Sequence, residues 1–370
     1  MMKKLLITAA FLISLSTAFA QNNFNLLIGT YTSGGKSEGI YTYNFNADNA
    51  ESNLKSITKN VNNPSYLTLS PDKNFVYSVN ETGNTSTISA FKYNKAKGEL
   101  DFLNKVNSEG NDPCYIISDN KNIVVANYSG GTLASFAREN DGKISNATQI
   151  IKHTGKSIDP KGRQNSAHVH MVKFSRDKKF IISTDLGEDN IYSYNYNPTS
   201  AKENLTFKSR IETKKGSGPR HFEFSKNGKY IYLLHEFDGI VTTYKYNSGI
   251  LKEIDNVPTI EPDFNGKIDG ADIHLSDDGK FLYSTNRGDA NTISVFSIQK
   301  NGKPKFIERV STLGKGPRNF TIDPTGKYLL VAHQYTHDVV IFNRDKNTGK
   351  LTDSNKRINV GAPVCLVFDK

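Results

Sequence analysis

One unit of sequence recurs along this chain and narrows what it can fold into. Residues 216–236 read GSGPRHFEFSKNGKYIYLLHE: a Gly-Pro turn, a short alternating run, a polar turn at Asn227-Gly228 and a second apolar run. The same order returns in NPSYLTLSPDKNFVYSVNE (63–81), DPCYIISDNKNIVVANY (112–128) and HVHMVKFSRDKKFIISTDLGE (168–188). Two further copies are GADIHLSDDGKFLYSTNRG (270–288) and GPRNFTIDPTGKYLLVAHQ (316–334), and a half copy, APVCLVFDK (362–370), ends the chain. Aligned on the start of the first run, the copies begin at Pro64, Pro113, Val169, Pro219, Gly270, Pro317 and Pro363, at intervals of 49, 56, 50, 51, 47 and 46 residues. Such spacing matches a four-stranded propeller blade.

Each unit reads as four short strands. In the fourth copy they are expected near 221–225, 229–235, 240–246 and 251–255, with Asn227-Gly228 and Ser248-Gly249 as hairpin turns. Val241, Thr243 and Lys245 alternate with Thr242, Tyr244 and Tyr246, a period of two that favours strand over helix. No stretch reads as a helix. The composition agrees, with 28 Gly, 12 Pro, 18 Tyr, 21 Phe and no Trp.

The ends decide the architecture. The chain opens on a second strand (25–32), followed by third and fourth strands near 39–46 and 54–61, with no first strand before them. Residues 364–369 form a first strand with nothing after it. Pairing the two ends completes a seventh unit and leaves no open edge. The fold expected is all-β, a seven-bladed β-propeller in a single domain spanning 21–370.

Residues 1–20 read as a secretory signal peptide: Lys3-Lys4, an apolar stretch from Leu5 to Phe19, and Ala18-Phe19-Ala20 as the cleavage site. No cysteine follows Ala20 and no other run is long enough to span a bilayer, so a periplasmic or secreted chain without a membrane anchor is expected. Removing Lys3 and Lys4 takes the formal charge from +10 to +8. The excess lies in scattered turn lysines, not in a dense basic block, which argues against nucleic acid as a partner. Cys114 and Cys365 fall in non-adjacent units, so no disulfide is expected.

In a propeller the first strand of each blade lines the central channel, and the second runs antiparallel beside it. The start of one and the end of the other therefore share a channel mouth. Applied to every unit, this rule gathers Tyr31, Asn127, Tyr128, His168, His170, Arg220, His221, Glu236, Asp272, Asn286, Arg287, Arg318 and Gln334 at one mouth. The opposite turns are generic Asp/Asn-Gly-Lys sequences. Convergent chemistry on one face of a repeat scaffold is the pattern of a ligand site.

Two motifs compete with it. Gly35-Lys36-Ser37-Glu38-Gly39 matches the G-x-S-x-G pattern of serine hydrolases, but it lies between strands and lacks the strand-to-helix turn that exposes such a serine. His168-Val169-His170 has a metal-like spacing, with Glu236 or His221 as a third ligand, but no second paired-ligand motif accompanies it. The remaining constellation is His170, Arg220 and Glu236. An imidazole and a carboxylate can serve as general base and acid, and a guanidinium can hold a carboxylate or a developing oxyanion. With no placed nucleophile, water must attack, which suits a strained ester such as a lactone.

With these residues in view, the chain resembles the seven-bladed propeller lactonases, comprising the propeller-type 6-phosphogluconolactonases and the fungal carboxymuconate lactonizing enzymes. The resemblance rests on Ala167-His168-Val169-His170, on Gly218-Pro219-Arg220-His221 with Glu236, on Asp272-Ile273-His274-Leu275-Ser276 and on Ser284-Thr285-Asn286-Arg287-Gly288. Val125-Ala126-Asn127-Tyr128-Ser129-Gly130-Gly131 also fits. It implies a metal-independent reaction on a small-molecule lactone without a cofactor. It also implies catalytic roles for His170, Arg220 and Glu236; the channel-mouth rule adds Tyr31, Asn127, Tyr128, His168, His221, Asp272, Asn286, Arg287, Arg318 and Gln334 as expected substrate-binding residues. Hydrolysis of a sugar or other small anionic lactone, lactonization of a carboxymuconate-like acid, and a non-catalytic propeller that binds carbohydrate or protein remain as readings of the same residues. Which of His170 and Glu236 is the base is open at this level.

Overall fold

The computed structural model describes residues 22–158 and 162–370. The expected signal peptide lies outside the described residues. Seven four-stranded antiparallel sheets form the blades. We number them by their first complete copy: blade 1 starts at Leu67–Leu69, and blades 2 to 6 start at Pro113–Ser118, Val169–Phe174, Pro219–Phe224, Gly270–Leu275 and Pro317–Ile322. Blade 7 joins the C-terminal Pro363–Phe368 to Asn23–Thr30, Gly39–Asn46 and Glu51–Lys59. Pairing of Leu26 with Phe368, Leu27 with Val367 and Ile28 with Leu366 closes the ring. The buried Asp369 carboxylate extends this seam, accepting from the Asn25 amide at 3.0 Å and from the Tyr93 hydroxyl at 2.9 Å. The one helical element among the described residues is a short 3-10 turn, Gly83–Thr85.

Local chemistry explains why the unit repeats. In the turn between first and second strands, a serine hydroxyl donates to an Asp or Asn two residues on, at 2.5 Å from Ser70 to Asp72, 2.6 Å from Ser175 to Asp177, 2.8 Å from Ser225 to Asn227 and 2.6 Å from Ser276 to Asp278. These self-bonded turns fix hairpin register. Neighbouring blades are held by apolar faces from each inner pair of strands and by tyrosines that reach across. Tyr77, Tyr232 and Tyr283 donate to the Gly142, Gly302 and Gly349 carbonyls of the next blade at 3.1, 3.0 and 2.8 Å.

The first strands begin unlike ordinary strands. A proline follows a residue with positive φ at Asn63 (42°), Asp112 (52°), Gly218 (65°), Gly316 (72°) and Ala362 (41°). The pairing register then slips by one residue between Pro113 and Tyr115, Val169 and Met171, Pro219 and His221, and Pro317 and Asn319. The extra residue of each bulge is Cys114, His170, Arg220 or Arg318. A bulge re-aims a side chain out of the alternating pattern, and here it delivers those four side chains to one cavity on the channel axis.

Candidate active site

Glu236 follows directly on the second strand of blade 4 (Tyr230–His235), with only 1% of its surface exposed. Its carboxylate is surrounded by guanidinium groups. Arg220 Nε donates to Oε2 at 2.9 Å, Arg163 Nη1 to Oε1 at 2.5 Å, and Arg287 Nη2 lies 3.3 Å from Oε2. Burial opposes its charge, but the three arginines hold the carboxyl well below the usual carboxylate range. Arg287 also donates to Asp269 at 2.9 Å, and Arg220 Nη1 to the Ala271 carbonyl. Burial, then the neighbouring Arg287, lowers Arg220 to about 10.

His170, in the preceding blade 3, presents Nε2 at 3.9 Å from Glu236 Oε2. Burial first, then Arg220 and His221, push its proton affinity well below the ordinary imidazole value, so the ring is neutral. Its centroid stands 5.3 Å from Tyr128 and 5.2 Å from His221, with both contacts edge-on. His170, Arg220, His221, Arg318, Cys114, Ser65 and Tyr66 line an axial cavity of about 10 Å³, room for one water. Larger hollows lie elsewhere: one of about 450 Å³ between blades 7 and 1 is lined by Asn60, Asn80, Thr87 and Phe91 and holds no titratable cluster.

Of the arginines at the mouth, Arg318 is the one without a hydrogen bond among the described residues. Its guanidinium sits 5.3 Å from the centre of the Tyr31 ring, and Tyr31 donates to Glu81 at 2.8 Å. Burial works against its charge, yet Tyr31 and Glu81 nearby keep its pKa raised.

The mouth therefore brings together His170, Arg220, Glu236, His168, His221, Tyr128, Arg287, Tyr31 and Arg318. Other expected binders lie behind it. Asn127 donates to the Ser108 carbonyl at 2.8 Å and to Thr132 at 3.0 Å, and Asn286 donates to Thr259 at 2.6 Å, both fully buried. Asp272 is internal as well, bonded to His221, His274 and Asn319. Gln334 bonds through its backbone to Gly316 and does not line the axial cavity. His235, next to Glu236, turns away to Thr242 at 2.9 Å.

The metal spacing of His168 and His170 is broken by the bulge at His170. His168 stacks on Tyr128 at 4.4 Å and directs Nδ1 to the Tyr128 carbonyl at 2.9 Å. Another trio, His153, Asp185 and Glu188, has its ligand atoms within 4.8 Å of one another, and all three are buried. Its carboxylates are already met by the His168, Glu188 and Gly155 amides and by Asn190 and Tyr192, with His153 bonded to Asp185 at 2.7 Å and Tyr194 at 2.8 Å. This donor set fits a hydrogen-bonded anchor. Ser37 bonds Thr30 at 2.5 Å. Cys114 and Cys365 are buried free thiols.

Arg163 is the member that sequence reasoning missed. It comes from the connection between blades 2 and 3, donates to the Tyr128 hydroxyl at 2.6 and 3.1 Å, and packs 5.2 Å from the centre of the Phe237 ring. The available signal was the 56-residue interval, the longest of the repeat, which shows that this connection carries extra chain.

Comparison with known proteins places this geometry in context. A family model described as "Lactonase, 7-bladed beta-propeller" matches residues 25–368. A 6-phosphogluconolactonase of Bacillus subtilis is 34% identical over 92% of this chain and 97% of its own length. A 6-phosphogluconolactonase of Formosa agariphila is 38% identical over 88% of this chain and 94% of its own. The structure of a periplasmic gluconolactonase of Pseudomonas aeruginosa superposes with a TM-score of 0.89 at 32% identity, covering 94% of this chain and 99% of that one.

Proposed function

The chain belongs to the seven-bladed β-propeller lactonase family and is a 6-phosphogluconolactonase-like lactonase; from that premise we propose that it is exported and opens a sugar-derived or other small anionic lactone with water and no metal. The observation that carries this reading is the combination of a neutral imidazole, a one-water cavity and a guanidinium without a hydrogen bond at a single channel mouth.

The charge states support one division of roles. Glu236, held ionised by three arginines, has no proton to give at neutral pH. Neutral His170 can take a proton from water attacking the carbonyl carbon, and Glu236 at 3.9 Å then stabilises the imidazolium. The proton passes to the ring oxygen as the acyl–oxygen bond breaks. Arg318 and the uncommitted Nη2 of Arg220 face the carbonyl oxygen and the anionic group of the substrate, where charge-assisted hydrogen bonds are strongest in a water-poor site. Glu236 Oε1 and Oε2 accept from arginines and His168 Nδ1 faces a carbonyl, so the donor set favours acid–base over metal chemistry.

Export is supported by the signal-like residues 1–20 and by the likeness to a protein described as periplasmic. An exported enzyme meets free sugar lactones more readily than a phosphorylated cytoplasmic metabolite, which directs the substrate toward unphosphorylated sugar lactones, acidic ones included. The test is hydrolysis of a lactone panel by residues 21–370, corrected for spontaneous opening, beside Glu236→Gln. Equal rates in the two proteins would sink the assignment.

A further inference from the structure

The axial cavity contains a second imidazole that the mechanism above leaves idle. His221 is 4% exposed, follows directly on the bulge at Arg220 and lines the cavity with His170. Its Nδ1 lies 2.8 Å from Asp272 Oδ1, and its Nε2, fully buried, has no hydrogen-bond partner among the described residues. An unpartnered buried nitrogen is costly unless something in the cavity meets it.

The tautomer follows from its surroundings. Asp272 is an acceptor, since His274, Asn319 and the Ile273 amide lie against the same carboxylate at 2.9, 2.6 and 3.0 Å. Burial opposes its charge, but His274 and His221 hold Asp272 ionised, well below the usual carboxylate range. His221 is neutral, because burial, followed by Arg220, lowers it to about 3. A neutral ring that donates Nδ1–H to Asp272 carries its free lone pair on the unpartnered Nε2. The Asp272 carboxylate is itself immobilised by four groups, so the ring orientation is fixed.

Both rings line a space of about 10 Å³, which holds one water, with ring centroids 5.2 Å apart. A water that donates both of its hydrogens, one to each imidazole, has only lone pairs left to point at the mouth. That is the orientation needed for attack on a carbonyl carbon.

We propose that His221 is a catalytic residue of this lactonase, its Nε2 accepting a hydrogen bond from the attacking water, and that Asp272 is the residue that positions it. The inference rests on the hydrolytic reading above. In the step, the water oxygen bonds to the carbonyl carbon and one O–H bond breaks, its proton passing to His170. The second hydrogen, held by His221, stays on the new carboxyl group. The ring C–O bond then breaks, and the ring oxygen leaves as a hydroxyl with the proton from His170. The sum is lactone plus water giving hydroxy acid.

The experiment compares wild type, His221→Gln, His221→Ala and Asp272→Asn on the best lactone of the panel, with kcat, KM and the melting temperature measured for each. In Asp272→Asn the amide donates to Nδ1, moving the proton to Nε2 and turning an acceptor into a donor. We expect kcat to fall about 100-fold in all three variants with KM within threefold, and added imidazole to restore a measurable part of kcat in His221→Ala alone. Unchanged kcat in His221→Gln and His221→Ala overturns the proposal, as does a loss that tracks a lowered melting temperature and resists imidazole. A wild type that hydrolyses no lactone overturns the functional reading together with it. An active wild type with unaffected variants overturns the water assignment alone.

Discussion

Replacing Glu236 by Gln removes the one negative charge shared by three arginines while preserving side-chain volume. The cost follows from what each arginine keeps. Arg163 is 39% exposed at its side chain and can turn to water, and Arg287 retains Asp269 at 2.9 Å. Arg220, 1% exposed, loses its carboxylate partner and keeps only a carbonyl at Nη1. Breaking one side of a buried ion pair costs ~3–5 kcal/mol. With a single arginine stranded, the lower end, about 3 kcal/mol, is expected at pH 7. The pH dependence gives an internal control. Because the folded Glu236 sits well below its ordinary value of 4.5, its contribution is fully present above pH 4.5 and is lost as pH falls toward the folded pKa. The gap between wild type and Glu236→Gln should therefore be constant from pH 7 to about 5, then shrink by about 1.4 kcal/mol per pH unit on further acidification. Urea unfolding of both proteins at pH 7, 5 and 4 measures it. A variant within 1 kcal/mol of wild type at pH 7, or a gap that widens in acid, would refute the clamp as drawn.

Arg318→Gln should raise KM for anionic lactones about tenfold or more and leave neutral lactones nearly unchanged; steady-state kinetics on a matched pair of substrates checks this. Arg163→Ala should weaken anionic-lactone turnover with a melting temperature close to wild type, because this guanidinium is partly solvated. His274 supplies a pH-dependent component of stability. Although burial disfavours its charge, Asp272 and Glu223 raise it to about 9 from 6.5, so its stabilisation is complete below pH 6.5 and is lost as pH rises through about 9. Urea titrations at pH 6 and 9.5 should show that decline in wild type, on the order of 3 kcal/mol, and not in His274→Gln.

The architecture was legible because hydrophobic runs and turn residues repeat at blade length, and because a lone first strand at one end complements a blade lacking one at the other. Convergence of Arg220 and Glu236 followed from antiparallel pairing alone. The bulges were not legible. One extra residue after Pro113, Val169, Pro219, Gly270 or Pro317 leaves the apolar pattern almost unchanged, while the re-aiming depends on the backbone. This is why Asp272 read as a ligand contact when it is a buried support for His221, and why His168 and His170 read as a pair on one face. Asn127 and Asn286 were placed at the correct end of their strands, but position along a strand does not tell which side chains turn inward to bond the blade itself. Arg163 escaped because it lies in irregular chain, where no repeat register assigns it a position.

The most direct test of the catalytic account is kcat/KM of residues 21–370 and of the same chain with His170→Gln on an anionic sugar lactone, both corrected for spontaneous opening. The account predicts a loss of about 100-fold in the variant, with its melting temperature preserved. Equal rates in the two proteins would contradict it.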